Sequence, residues 1–194
     1  MKNKKGPYRL WFEPFTNLTL EEMMFERYED LIDLKRNIKK SNQKLYAYLR
    51  KSRPNLLKRM EELLEKGEQM PVKEICPYCK KRPIECISVR GRGADGYSIS
   101  PSNTSCAACY DQYVETEGSY VLKPAFSEML TFMRKTDRQQ FLNVLKWVLG
   151  FSGPITAENC YRFFFEEEDK EEKQKDFPLL ILPTQRKIIQ TELF

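Results

Sequence analysis

The sequence predicts a mainly α-helical fold with a small cysteine-bearing β-hairpin module inserted between two helical regions. Three observations predict it. Apolar residues recur at helical spacing on both sides of the chain's middle; a Pro-, Gly- and Ser-rich stretch with β-type residues lies between them; and two pairs of cysteines bracket that stretch. With 194 residues, 41% of them hydrophobic, the chain has enough apolar material for one domain or two small ones. Four stretches are expected: a basic helical region at 1–70, the cysteine module at 71–120, a C-terminal helical region at 121–176 and a tail at 177–194.

The first stretch begins with an aromatic lead-in of Tyr8, Trp11, Phe12 and Phe15. Thr19 and Glu22 have capping-box spacing and open a helix whose stripe is Met23, Met24, Leu31 and Ile38. Ser41 is the expected start of a short second helix through Leu45 and Leu49. Ser52 and Pro54 signal a third, carrying Leu56, Leu57, Met60, Leu63 and Leu64, with Gly67 as its expected stop. In the middle stretch, Ile84 to Val89 read as a strand and Gly91 to Gly96 as a turn. Beyond it, Phe141, Leu142, Leu145, Val148 and Leu149 mark an amphipathic helix with Thr136 as candidate cap, ended by Gly150 to Pro154. Another helix begins near Thr156, carries Cys160, Tyr161, Phe163, Phe164 and Phe165, and runs into the acidic stretch from Glu166 to Glu172, read as a solvated helix end.

Cys76-Pro77-Tyr78-Cys79 and Cys106-Ala107-Ala108-Cys109 stand 26 residues apart. Two thiolates separated by two residues on a tight turn can face one ion, and a second pair completes a tetrahedron with no position left for water. The pattern predicts a closed, structural Zn2+ site, and the nearby Lys80, Lys81, Arg82, Arg90 and Arg92 favour thiolate over thiol. Cys86 and Cys160 read as core residues. The chain contains no histidine, so Ser-His-Asp or Cys-His catalysis and histidine-held catalytic metals are out of reach. No apolar run approaches a bilayer-spanning length and no apolar signal-peptide core follows the N-terminus, so a cytoplasmic setting without membrane contact is expected.

The formal charge of +5 is unevenly spread. From Leu34 to Met60 there is no acidic residue among 27, while Lys35, Arg36, Lys39, Lys40, Lys44, Arg50, Lys51, Arg53, Lys58 and Arg59 are all present, interleaved with Tyr46 and Tyr48. Such a segment suits phosphate contacts with some stacking, and together with Arg90 and Arg92 forms the expected nucleic-acid footprint, for DNA or RNA.

Two resemblances add to this reading. The order of Cys76-Pro77-Tyr78-Cys79, Arg90, Gly96-Tyr97, Asn103 and Cys106-Ala107-Ala108-Cys109 resembles the zinc-stabilised form of the HNH endonuclease family over residues 76–113, which implies a ββα-metal (treble-clef) element between the knuckles. The family's histidine is missing, and Val89 and Arg92 stand at its acidic positions, so the resemblance implies a degenerate module that binds without cleaving. At the other end, Gln190-Thr191-Glu192-Leu193-Phe194 resembles the bacterial sliding-clamp-binding motif, which implies that Gln190, Leu193 and Phe194 fill pockets on a clamp. The function expected is that of a non-enzymatic, zinc-stabilised nucleic-acid-binding accessory protein of a phage or mobile element, acting in replication, transcription or defence. The alternatives are a protein-interaction adaptor, an inhibitor or subunit of a larger nucleoprotein machine, and a degenerate HNH-type endonuclease.

Overall fold

A computed structural model of the chain describes residues 6–91 and 96–175, with side chains through residue 166. The tail residues Gln190, Leu193 and Phe194, and Arg92 of the glycine-rich turn, lie outside the described residues, as do the side chains of the acidic stretch after Glu166. The fold is mainly α, with a small antiparallel sheet.

Four helices come first: α1 (Leu20–Glu26), α2 (Tyr28–Lys40), α3 (Lys44–Ser52) and α4 (Pro54–Gln69). The capping box at the start of α1 is present: the Glu22 amide donates to Thr19 Oγ1 at 3.2 Å and the Thr19 amide donates to Glu22 Oε2 at 2.8 Å. The single helix expected from Thr19 to Ile38 breaks at Arg27, whose backbone leaves the helical region (φ −143°, ψ 44°). There its guanidinium donates to Asp30 at 2.6 Å and lies 5.0 Å from the Phe15 ring centre. The break lets α1 seat Phe25 among Phe126, Phe151, Phe163 and Phe164 while α2 buries Tyr28, Leu31, Leu34 and Ile38. The second helix starts three residues later than expected, at Lys44, because the Ser41 hydroxyl is used by the Gln43 amide at 3.2 Å.

The third helix does not stop at Gly67. Residue 67 is buried inside α4, where a Cβ would stand 2.4 Å from Met24 Cε and 3.4 Å from Phe126 Cδ2. Glycine is there because two elements approach closely, and the helix continues to Gln69.

The sheet is built on β1 (Cys86–Gly91), flanked by β2 (Tyr97–Ser98), β3 (Thr104–Ser105) and β4 (Ser119–Leu122). β1 pairs with β4 from Ile87↔Leu122 to Arg90↔Ser119. Its other edge pairs first with β2 (Arg90↔Ser98) and then with β3 (Ile87↔Thr104), so β2 and β3 are two pieces of one returning chain, interrupted by a 3₁₀ turn at Pro101–Asn103. α5 (Ala107–Tyr113) follows β3 directly.

α6 (Lys135–Val148) and α7 (Ala157–Lys175) complete the described fold. Thr136 falls inside the first turn of α6; Arg134 holds the cap position. α6 ends in a Schellman motif: Gly150 takes φ +74°, its amide donates to the Trp147 carbonyl at 2.9 Å, and the Phe151 amide donates to the Lys146 carbonyl at 2.8 Å. The Thr156 hydroxyl accepts the Asn159 amide at 3.3 Å and caps α7. One continuous apolar core runs from Leu10 through Ile84 and the β1 residues Ile87 and Val89 to Phe165, while the four paired cysteines form a separate small cluster. Among the described residues, no helix is long and apolar enough to cross a membrane.

Candidate metal centre and basic face

The first cysteine pair sits on a tight turn. The Cys76 amide donates to the Arg82 carbonyl at 2.8 Å, the Lys80 amide returns to the Cys76 carbonyl at 2.9 Å, and Lys80 takes a positive φ of 54° to close the loop. The second pair is held by a helix start: Cys106 is the residue before α5 and Cys109 lies in its first turn. The Glu85 carboxylate accepts the Ala107 amide at 2.9 Å, and the Glu85 amide donates to the Ser105 carbonyl at 2.9 Å, so the second knuckle is fastened to the strand that leaves the first.

These contacts bring the sulfurs of Cys76, Cys79, Cys106 and Cys109 within 4.8 Å of one another, with Cys79 Sγ and Cys106 Sγ 3.8 Å apart. A tetrahedral ion bonded to four sulfurs at about 2.3 Å requires them about 3.8 Å apart, so the cluster has the dimensions to hold one metal ion. All six cysteines are free of disulfides, and Cys86 and Cys160 stand outside the quartet.

The thiols differ in proton affinity. Burial pushes Cys76 up, but hydrogen bonds from the backbone of Cys79, Cys106 and Tyr78 outweigh it and bring it down to about 6. Backbone hydrogen bonds at Lys81 and Arg82 pull Cys79 down as well. Burial and the neighbouring sulfurs push Cys109 up to about 12. Oriented amides therefore favour the first thiolates, and a bound cation would be what lets Cys109 ionise beside them. Burial also raises Cys86, and raises Cys160 to about 12, in keeping with packing roles for both.

The structure sorts the predicted basic residues into two groups. Arg50 is turned inward: its guanidinium donates to the carbonyls of Ile38 (2.7 Å), Lys39 (2.8 Å) and Ser41 (3.3 Å), closing the end of α2. Arg59 is 11% exposed and pairs with the fully buried Glu21 at 3.0 Å, its guanidinium carbon 3.7 Å from the Phe165 ring centre. Arg36 pairs with Asp33 at 2.7 Å and Lys39 with Glu61 at 2.5 Å, both on the surface, and Lys35 stands near Glu61. Arg90 lies on β1 rather than on the glycine-rich loop, half-buried, with Nη2 3.5 Å from the Val114 carbonyl at the end of α5.

The second group is exposed. Lys40, Lys44, Lys51 and Lys58 have no ion-pair partner among the described residues, and Arg53 lies over the Trp11 ring at 5.2 Å. On α3, Lys44, Tyr48 and Lys51 share one face at i, i+4 and i+7 spacing, and Tyr48 is 50% exposed. No local pattern in the sequence joins Trp11 to Arg53, which lies 42 residues away. Tyr78 and Tyr113, stacked beside the cysteines, were missed; the signal was an aromatic inside one CxxC pair and another four residues after the second. No family model, curated protein or solved structure matches the chain, so the HNH and clamp-peptide likenesses rest on their motif residues alone.

Proposed function

We propose that the chain is a non-enzymatic nucleic-acid-binding accessory protein whose cysteine quartet holds a structural Zn2+. The observation that carries this reading is the set of exposed cations Lys40, Lys44, Lys51, Arg53 and Lys58, none with an ion-pair partner among the described residues, with Lys44, Tyr48 and Lys51 on one face of α3 and Arg53 over the Trp11 ring. Zinc suits the site because four thiolates in a tetrahedron are its preferred closed donor set, with iron the main competitor for the same sulfurs. The order of knuckle, antiparallel strands and helix-borne second pair supports a zinc-braced hairpin module of the kind the HNH resemblance implies. A closed site and a chain without histidine offer no general base of the usual kind beside a metal-bound water, which favours binding over cleavage.

The test is binding against salt. Five cations on five phosphates give a slope of log affinity on log salt between about −3.5 for single strands and −4.5 for duplex. Lys44→Ala with Lys51→Ala should flatten that slope by about 1.5 to 2. An affinity that stays level as salt rises would sink the reading.

A further inference from the structure

Tyr78, inside the first cysteine pair, and Tyr113, the last residue of α5, lie face to face with ring centres 5.0 Å apart and planes 5° from parallel. Tyr78 Oη donates to the Ser102 carbonyl at 3.1 Å, which holds its ring in place. The pair is not covered: Tyr78 is 38% and Tyr113 53% exposed. A stack that served only to clip the two knuckles together would gain most by being buried, whereas these rings keep much of their surface in water. Lys80, Lys81 and Arg82 follow Tyr78 on the same knuckle, all exposed and without an ion-pair partner among the described residues. Two acids stand two residues from Tyr113: Asp111, rotated about 200° around α5 from it, and Glu115, just beyond the helix end.

We propose that Tyr78 and Tyr113 form a stacking platform for an unpaired base of single-stranded nucleic acid, with Lys80, Lys81 and Arg82 taking the adjoining phosphates. This rests on the nucleic-acid reading above and adds to it a second contact site and a substrate class. Stacking on tyrosine needs a base with a free face, which a single strand offers along its length and a duplex only at its ends. The two rings are already parallel and one is anchored, so a base extends an existing stack instead of ordering a loose side chain.

The experiment uses the full zinc-loaded chain, a fluorescein-labelled 15-mer of thymidine and a 15-base-pair duplex, with zinc content measured for every variant. Tyr113→Leu should keep its zinc, weaken single-strand binding roughly 5- to 100-fold, leave the salt slope unchanged and alter duplex binding less than twofold. Tyr113→Trp should bind like the parent. Lys81→Ala with Arg82→Ala should flatten the single-strand salt slope by about 1 to 1.5, and this variant decides the matter if Tyr113→Leu loses zinc. Tyr113→Leu with zinc and full single-strand affinity, an equal loss on both probes, or an unchanged slope in the Lys81/Arg82 variant overturns the platform. A parent that binds both probes equally overturns the platform but spares the nucleic-acid reading; a parent that binds neither overturns both.

Discussion

Lys58 and Arg59 are adjacent in sequence and carry the same charge, yet substituting them by alanine should have opposite consequences. Arg59 Nη2 is 3.0 Å from Oε1 of Glu21, whose side chain has no exposure at all and whose other oxygen accepts the Tyr8 amide at 3.0 Å. Removing the guanidinium leaves a buried carboxylate with one amide for company, a loss of about 3–5 kcal/mol. The same group lies over Phe165, and this contribution is not added separately because one truncation removes both contacts. For a chain of 194 residues, about 4 kcal/mol corresponds to a fall in Tm of roughly 8–16 °C. Lys58 is exposed and unpaired among the described residues, so Lys58→Ala should stay within about 0.5 kcal/mol of the parent while weakening oligonucleotide binding. Thermal and urea unfolding followed by circular dichroism measure the first effect, fluorescence anisotropy the second. The double variant Arg59→Met with Glu21→Gln should recover at least half of the lost stability, since no unpaired charge remains inside. If Arg59→Ala were within 1 kcal/mol of the parent, or Lys58→Ala equally damaging, the division of this segment into internal and external cations would be wrong.

Gly67→Ala should stay within about 1 kcal/mol of the parent in urea unfolding, because the atom in the way is the flexible end of Met24, whose displacement offsets the helix-propensity gain of about 1 kcal/mol. Cys160 is held up to about 12 by burial and by Glu22, and burial lifts Tyr120 to about 12. Folding keeps both protonated while the unfolded groups ionise earlier, so stability is complete below about pH 8.5 and declines as pH rises towards 12. Cys160→Ala should make that decline shallower across urea midpoints taken from pH 8.5 to 11. Blocking the thiols of the purified chain with a mercurial should release one equivalent of zinc, detected with a chromogenic chelator. Protein refolded with zinc under reducing conditions and found to contain no metal would contradict the proposed site.

The features legible in the sequence are those whose cause is local. The Thr19–Glu22 box, Pro54 in the first turn of α4 and the paired cysteines each depend on residues a few positions apart, and each stands as expected. What was hidden depends on partners far along the chain. A count of lysines and arginines sees formal charge but not its use: Arg59 meets Glu21 from 38 residues away, and Arg50 spends its donors on carbonyls of the preceding helix. Gly67 reads as a stop because glycine ends helices readily, yet a side-chain-free position equally suits a helix that Met24 and Phe126 approach closely. The break at Arg27 has the same origin, since the stripe of Met23, Met24, Leu31 and Ile38 is satisfied whether or not the axis bends, and only packing around Phe25 chooses.

The two proposed contact surfaces divide the physics of binding between them. Four thiolates around a divalent cation would carry a net charge of about −2, which Lys80, Lys81 and Arg82 exceed by about one, so the knuckle would hold phosphates by contact and attract them weakly at long range. The face of α3 has no acid in its own segment and, on the proposed reading, would supply the long-range attraction. Raising salt towards 1 M shrinks the screening length to about 3 Å and removes most of the α3 contribution, while stacking on Tyr78 and Tyr113 persists. Eight cations on the single strand give a slope of about −5.6 against about −4.5 for five on duplex, so overall affinity should fall with salt while the preference for single strand over duplex shrinks, measured as the ratio of the two dissociation constants from about 0.05 to 0.5 M salt; with Lys81→Ala and Arg82→Ala the preference should no longer shrink. A preference that grows with salt in the parent would mean that Lys80, Lys81 and Arg82 touch no phosphate of the single strand.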